Sequence, residues 1–188
     1  MPRRAKKPEP GKAPSVQTCW WGRYEFGDGE PLRRRDGYRS GVTDPGGFRR
    51  LVGRDHGLCV VSTLRADDTI QSSVVNAGVL DHPVTGASVV GFVALGGSRK
   101  LVHLRARPRA TIVVRAGWEW TAVEGPADLA GPDDPLPGID AEATRLLLRA
   151  VFSAAGGTHD DWDTYDRVMA DERRAAVLIT PERIYPNR

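Results

Sequence analysis

Leu58-Cys59-Val60-Val61-Ser62-Thr63-Leu64, then Arg65-Ala66-Asp67-Asp68, then the run from Thr69 to Leu80, is the stretch on which the fold turns. The first segment is rich in β-branched and apolar residues and has no helical spacing, so it reads as a strand. Four small or charged residues follow, the chemistry of a tight turn. The second run reads as a longer strand whose polar members, Gln71, Ser73 and Asn76, mark a face or an end that meets something polar. Working outward, Asp81 to Ala87 (with Pro83 and Gly86) is a loop and Ser88 to Leu95 a third strand. Ala110 to Arg115 and Trp118 to Glu124, joined by Ala116-Gly117, make another hairpin. In its second arm Trp118, Trp120 and Ala122 share one face, and Glu119, Thr121 and Val123 the other. Ala175 to Thr180 reads as a last strand, with Arg183-Ile184-Tyr185 following.

Helices flank these strands. Asp44-Pro45 opens one whose stripe is Phe48, Leu51 and Val52 and which Gly53 to Gly57 closes. A short one runs from Leu101 to Arg105 and stops before Pro108. Gly131 to Gly138 is a Pro- and Asp-rich loop; Ala141 to Phe152 and a stripe of Trp162, Tyr165, Val168 and Met169 give two more helices. Neighbouring strands joined by hairpins argue for an antiparallel sheet, and such a sheet avoids exposed edges by closing into a barrel. The class is mainly β with flanking helices, not the regular strand–helix alternation of a doubly wound fold.

The 188 residues suit one domain with a tail, and 40% hydrophobic content is ordinary for a globular chain. No apolar run approaches the about 18 residues of a membrane span, and the charged N-terminus lacks the apolar stretch of a secretory signal. Two cysteines, Cys19 and Cys59, are too few for a disulfide framework, and Cys59 reads as a buried thiol. These features set the expectation of a cytoplasmic protein. Residues 1 to 50 hold 12 Lys/Arg against 6 Asp/Glu, so the basic excess sits at the N-terminus. Residues 1–15, Pro-rich and charged, are expected to be a disordered basic tail. Residues 16–43 form an aromatic and Arg-rich extension, with Cys19, Trp20, Trp21, Tyr24 and Phe26 ahead of Arg33-Arg34-Arg35. Such a cluster packs on its own domain or on a partner subunit; aromatics beside arginines also bind single-stranded nucleic acid, the minor reading here. Residues 44–188 are the folded domain.

Between the third strand and the short helix lies Gly96-Gly97-Ser98-Arg99-Lys100. Two glycines relax the backbone and admit a ligand, Ser98 suits an N-cap, and the helix start aims free N–H groups and two cations at one spot. That is an anion site, most naturally for a phosphate. The alternative is a plain strand-to-helix turn with two solvated charges. No catalytic triad is visible. His56 and His82 fall in turns, His159 at a polar helix start, and His103 one helical turn after Lys100, either on a bound group or on the surface. Asp160, Asp161 and Asp163 read as helix-start carboxylates, and no metal set is expected.

The stretch Gly57 to Arg65, the polar second strand, and Gly97-Ser98-Arg99-Lys100-Leu101-Val102-His103-Leu104-Arg105-Ala106-Arg107-Pro108-Arg109-Ala110-Thr111 together resemble the pyridoxamine 5'-phosphate oxidase-like superfamily. Within it they are similar to the flavin/deazaflavin oxidoreductases of class B. The resemblance spans about residues 44 to 186 and leaves the N-terminal extension outside. It implies an FMN-binding type of split β-barrel, a homodimer with the cofactor at the interface, and a cofactor that is coenzyme F420, a deazaflavin, or FMN. Carried onto matching positions, it implies that Gly97, Ser98, Arg99 and Lys100 hold the phosphate. Ser73, Val74, Val75 and Asn76 would face the ring, Val93, Ala94 and Leu95 would run beneath it, and His103 would lie near the charged tail. Arg105, Arg107 and Arg109 would either meet the deazaflavin's polyglutamate or stay at the surface. Trp118 and Trp120 would cover the ring or pack into the partner. No residue is assigned a catalytic role, because in this family the cofactor carries the hydride. The implied activity is hydride transfer from reduced F420 to a small unsaturated organic substrate. The alternatives are an FMN-dependent oxidase or reductase of the same fold, or a non-catalytic binder of flavin, haem or tetrapyrrole.

Overall fold

Alternation along β1 (Leu58–Leu64) turns Cys59, Val61 and Thr63 inward and leaves Leu58, Val60 and Leu64 exposed. The computed structural model describes residues 44–187, so the expectations for residues 1–15 and 16–43 lie outside the described residues. α1 (Gly46–Val52) precedes β1, and β2 (Ile70–Asp81), β3 (Ser88–Ala94), α2 (Arg99–Ala106), β4 (Arg109–Ala116) and β5 (Glu119–Ala130) follow it. The chain ends through α3 (Ala141–Ala154), α4 (Trp162–Asp171), β6 (Ala175–Ile179) and β7 (Arg183–Pro186). At the start of α1 the Asp44 carboxylate accepts the Gly46 N–H at 2.9 Å.

The strands run antiparallel in the order β4-β1-β2-β3-β6-β5, and a β4–β5 ladder closes the ring; β7 adds to β5 outside it. The result is the expected mainly β split barrel. Its two long strands make the split. β2 pairs with β1 through Ile70–Asn76 and then with β3 through Ala77–Asp81. β5 pairs with β4 as far as Pro126 and then with β6 through Ala127–Ala130. Phe92, Ile112, Val177 and Ile179 fill the interior, with Phe48 and Leu51 of α1 and Leu101 and Leu104 of α2 packed among them. A second cluster binds α3 and α4 to the outside of the sheet through Val89, Leu178, Leu147, Leu148, Val151 and Tyr165.

The expected end of the second hairpin arm at Glu124 is too early. Gly125-Pro126 reads as a strand breaker, yet β5 continues through it. This is where β5 changes partner, so the missing Pro126 N–H costs no central bond, while the Pro126 carbonyl accepts from Thr180 N at 2.9 Å. A Cβ on Gly125 would lie 1.8 Å from the Thr180 carbonyl oxygen, so the crossing demands glycine. Trp118 is also not part of the strand face assigned to it. It sits in the turn before β5, 89% exposed, while Trp120 packs edge-on to Tyr185. Among the described residues no helix is long and apolar enough to cross a membrane.

Candidate functional site: the open end of the barrel

β2 and β3 part company where the β2–β3 ladder stops, at Ala77 opposite Phe92. Beyond that point Ser73–Asn76 bond only to β1, and Val93 and Ala94 bond only to β6. These two segments, which the resemblance gives to the ring, keep an edge unpaired among the described residues, with backbone N–H and C=O groups along it. Their side chains do not act as a block. Ser73 and Val75 stand opposite Val61 and Cys59 and turn to the barrel, Val75 into its core. Val74 and Asn76 turn outward, Val74 being 66% exposed, and Asn76 Nδ2 donates to the His56 carbonyl at 2.8 Å. Ala94 enters the core, Val93 faces the α3–α4 side, and Leu95 is exposed.

Gly96 and Gly97 follow, and they do different work. Gly96 lets two backbones meet: its N–H donates to the Glu172 carbonyl at 3.1 Å, and a Cβ would fall 2.5 Å from the Arg173 oxygen. The expected ligand approach is therefore not what Gly96 serves; the end of α4 occupies that side. Gly97 has φ +72 with open space around it, so it is the residue that turns the chain. Ser98 takes the N-cap position of α2 with extended backbone, but its hydroxyl caps nothing. Its Oγ is buried and has no hydrogen-bond partner. The Arg99 and Lys100 N–H groups, at the start of α2, bond to nothing among the described residues, and neither side chain has a carboxylate in reach. Burial holds the Lys100 ammonium below the ordinary lysine range. Two N–H groups without partners among the described residues, a partly desolvated ammonium and a guanidinium thus gather at one helix start, chemistry that favours an anion there.

The neighbouring cations are not free to join it. Arg105 is forked onto Asp134 with both bonds at 2.7 Å, Arg107 pairs with Asp68 at 3.2 Å, and Arg109 pairs with Glu182 at 2.5 Å. His103 is not a surface residue. It is 7% exposed, and its Nδ1 lies 3.0 Å from Thr63 Oγ1, tying α2 to β1. Asp161 caps α4, accepting from Thr164 N at 2.9 Å. Cys59 is a buried thiol whose pKa burial pushes up to about 12, which keeps it unreactive.

Beside the corner lies a cavity of about 440 Å³ that the sequence does not announce. Asn76 and Val93, from the two open edges, form one wall. Phe152, Tyr165, Met169 and Arg174 also line it, as does His56. The helix residues carry only a packing signal in the sequence, and Arg174 carries none.

No family model matches the sequence, and no curated protein matches it. Solved structures do. A conserved hypothetical protein of Mycobacterium tuberculosis aligns over 82% of this chain and 88% of its own, with TM-score 0.56 and 17% identity. An F420 reductase aligns over 73% and 94%, with TM-score 0.50 and 15% identity. A pyridoxamine 5'-phosphate oxidase-related, FMN-binding protein of Nostoc punctiforme aligns over 75% and 81%, with TM-score 0.50 and 12% identity. The chain has the split-barrel fold of the pyridoxamine 5'-phosphate oxidase-like proteins.

Proposed function

We propose that this chain is an oxidoreductase that binds a flavin-type cofactor at the open end of its barrel and moves a hydride from reduced coenzyme F420 to a small unsaturated organic substrate. The observation that carries the reading is the start of α2, where the Arg99 and Lys100 N–H groups and side chains have no partner among the described residues, beside a Ser98 Oγ buried without one. A buried hydroxyl without a partner costs about 1–3 kcal/mol, which a bound phosphate oxygen would offset. In this reading Gly97 shapes the turn, the Arg99 and Lys100 N–H groups and the two side chains take the phosphate, and the free edges of Ser73–Asn76 and Val93–Leu95 meet the ring. The bound cofactor supplies the hydride; the chain supplies orientation and a site from which water is kept away.

The reading includes a homodimer with the cofactor at its interface. Leu58, Val60, Ile70 and Val74 give the outer face of β1 and β2 an apolar character that a second copy would cover. FMN is the second reading, and one observation favours it: Arg105, Arg107 and Arg109, the cations the resemblance offers to a polyglutamate tail, are already paired with Asp134, Asp68 and Glu182.

Absorbance titration of the purified protein with FMN and with F420 tests both. Saturable binding of F420, followed by loss of reduced-F420 signal on adding an acceptor, is the expected result. Saturation by FMN alone selects the second reading. No change with either cofactor at tens of micromolar defeats the proposal.

A further inference from the structure

The cavity between the open strand edges and α4 has three properties that belong together. It adjoins the end of α4 that meets Gly96: the Glu172 and Arg173 carbonyls against Gly96 immediately precede Arg174, which lines it. It is flanked by backbone held in an unusual conformation. Among the described residues three non-glycine positions have positive φ; one of them, His56 (φ 51), lines it, and another, Arg173 (φ 49), directly precedes Arg174, which lines it too. The contrast with α3 is direct. Both helices end in the same arrangement, with Gly157 N bonded to the Phe152 carbonyl in α3 and Arg174 N to the Met169 carbonyl in α4. α3 puts Gly156 at the left-handed position and α4 puts Arg173 there. Backbone of this kind gathers at ligand sites more than elsewhere. Finally, the wall is aromatic and apolar, with Phe152 and Tyr165 rings 5.0 Å apart and Met169 and Val93 beside them, and it holds one cation. Arg174 gives its Nε to Glu172 at 2.6 Å, and its two Nη groups have no partner among the described residues.

We propose that this cavity is the acceptor pocket of the enzyme and that Arg174 selects planar, conjugated substrates carrying a carboxylate. The inference rests on the cofactor reading of the split above, which places the ring against Asn76 and Val93. A flat acid would lie along Phe152 and Met169 with its carboxylate on the two Nη groups, a geometry that a guanidinium serves better than an ammonium. Reduction of such an acid adds a hydride at the carbon β to the carboxylate and a solvent proton at the α carbon, the electron pair coming from the reduced cofactor.

Calorimetric titration of the cofactor-free protein with trans-cinnamate and with cinnamamide, its uncharged isostere, tests the pocket without turnover. The acid is expected to bind about tenfold or more tightly than the amide, the factor one charge-assisted contact commonly supplies. Arg174→Gln should erase that preference, and Arg174→Lys should keep part of it, with thermal unfolding checking that each variant folds. Equal affinity for acid and amide, survival of the preference in Arg174→Gln, or no binding of cinnamate at millimolar concentration overturns the proposal. So does competition between cinnamate and FMN or F420, which would make the cavity part of the cofactor groove. If neither cofactor binds but cinnamate shows the Arg174-dependent preference, the pocket stands and the cofactor reading alone fails.

Discussion

Lys100 carries a charge that partial burial disfavours and that no carboxylate offsets among the described residues. Its folded pKa is depressed, so between that value and the ordinary lysine value the unfolded chain holds more protons than the folded one. Stability therefore rises with pH through that window, and the buried charge is a standing cost at neutral pH. Lys100→Met is expected to leave the empty protein as stable as the parent or slightly more so, while weakening flavin phosphate binding by roughly 1.5–3 kcal/mol, the worth of a hydrogen bond to a charged group. Thermal unfolding and a cofactor titration of the same variant read the two effects. Cofactor affinity should also fall with rising pH before an ordinary lysine would titrate; an affinity flat up to pH ~10 would contradict the role given to Lys100.

Adjacent glycines make a second case at this scale. Gly97→Asn should cost little, because asparagine tolerates the left-handed conformation and the space around Gly97 is open. Gly96→Asn should cost more, on the order of 1–3 kcal/mol, because its Cβ meets fixed backbone at Arg173. Urea midpoints of the two variants decide it. The corner proposed for the phosphate stands out in the sequence because two glycines, a serine and two cations are contiguous. The task of Gly96 was not, because the carbonyls it meets come from the far end of α4. His103 was illegible for a similar reason: nothing local says that Thr63 waits on β1 for its ring.

Period-two alternation is a strong local signal, and β1, the first part of β2 and β4 follow it because each has one face on the barrel core, whereas β3 is buried on both faces, with Val90 and Phe92 in the barrel and Val89 and Val93 toward α3 and α4. β5 hides half its length because Gly125-Pro126 looks like an ending, and only the partner change from β4 to β6 explains why it is not one. Gly125→Ala should therefore be among the most damaging single-methyl additions in the molecule. The new Cβ would sit 1.8 Å from Thr180 O, and neither backbone can yield without opening the barrel. Loss of folded protein, or a fall in stability of about 3 kcal/mol or more, is expected in chemical unfolding. The α4 terminus offers the opposite case. Arg173 pays a left-handed penalty of roughly 1–2 kcal/mol, against which its exposed pairing with Asp133 returns about 0–1 kcal/mol. Arg173→Gly should leave stability equal or raise it, and a clear loss would mean that the Asp133 pairing outweighs the backbone term. The cavity wall shows the limit of sequence reading at this level. Its residues come from β2, β3, α3, α4 and the segment before β6, each with an adequate packing explanation of its own.

At the scale of the molecule, the barrel has one interior and two unequal exteriors. α3 and α4 cover the β2–β3–β6 side, while the outer face of β1 and β2 carries Leu58, Val60, Ile70 and Val74 with no covering element among the described residues. Ile70 and Val74 are each 66% exposed, and the facing pairs Leu58 with Asn76, Val60 with Val74 and Leu64 with Ile70 make the apolar residues contiguous across the two strands. Val74 belongs to the open edge proposed for the ring, so a second copy seated on this face would close over the cofactor groove and dimerisation would be linked to cofactor binding. Val60→Glu places a carboxylate at the centre of the patch without touching the phosphate corner. Light scattering is expected to show the parent as a dimer and this variant as a monomer with unchanged thermal stability of the barrel itself. Cofactor affinity should fall in the same variant and recover as protein concentration rises, because mass action restores the second subunit. A monomeric variant that binds the cofactor as tightly as the parent at every concentration would separate the interface from the groove and confine the site to one chain.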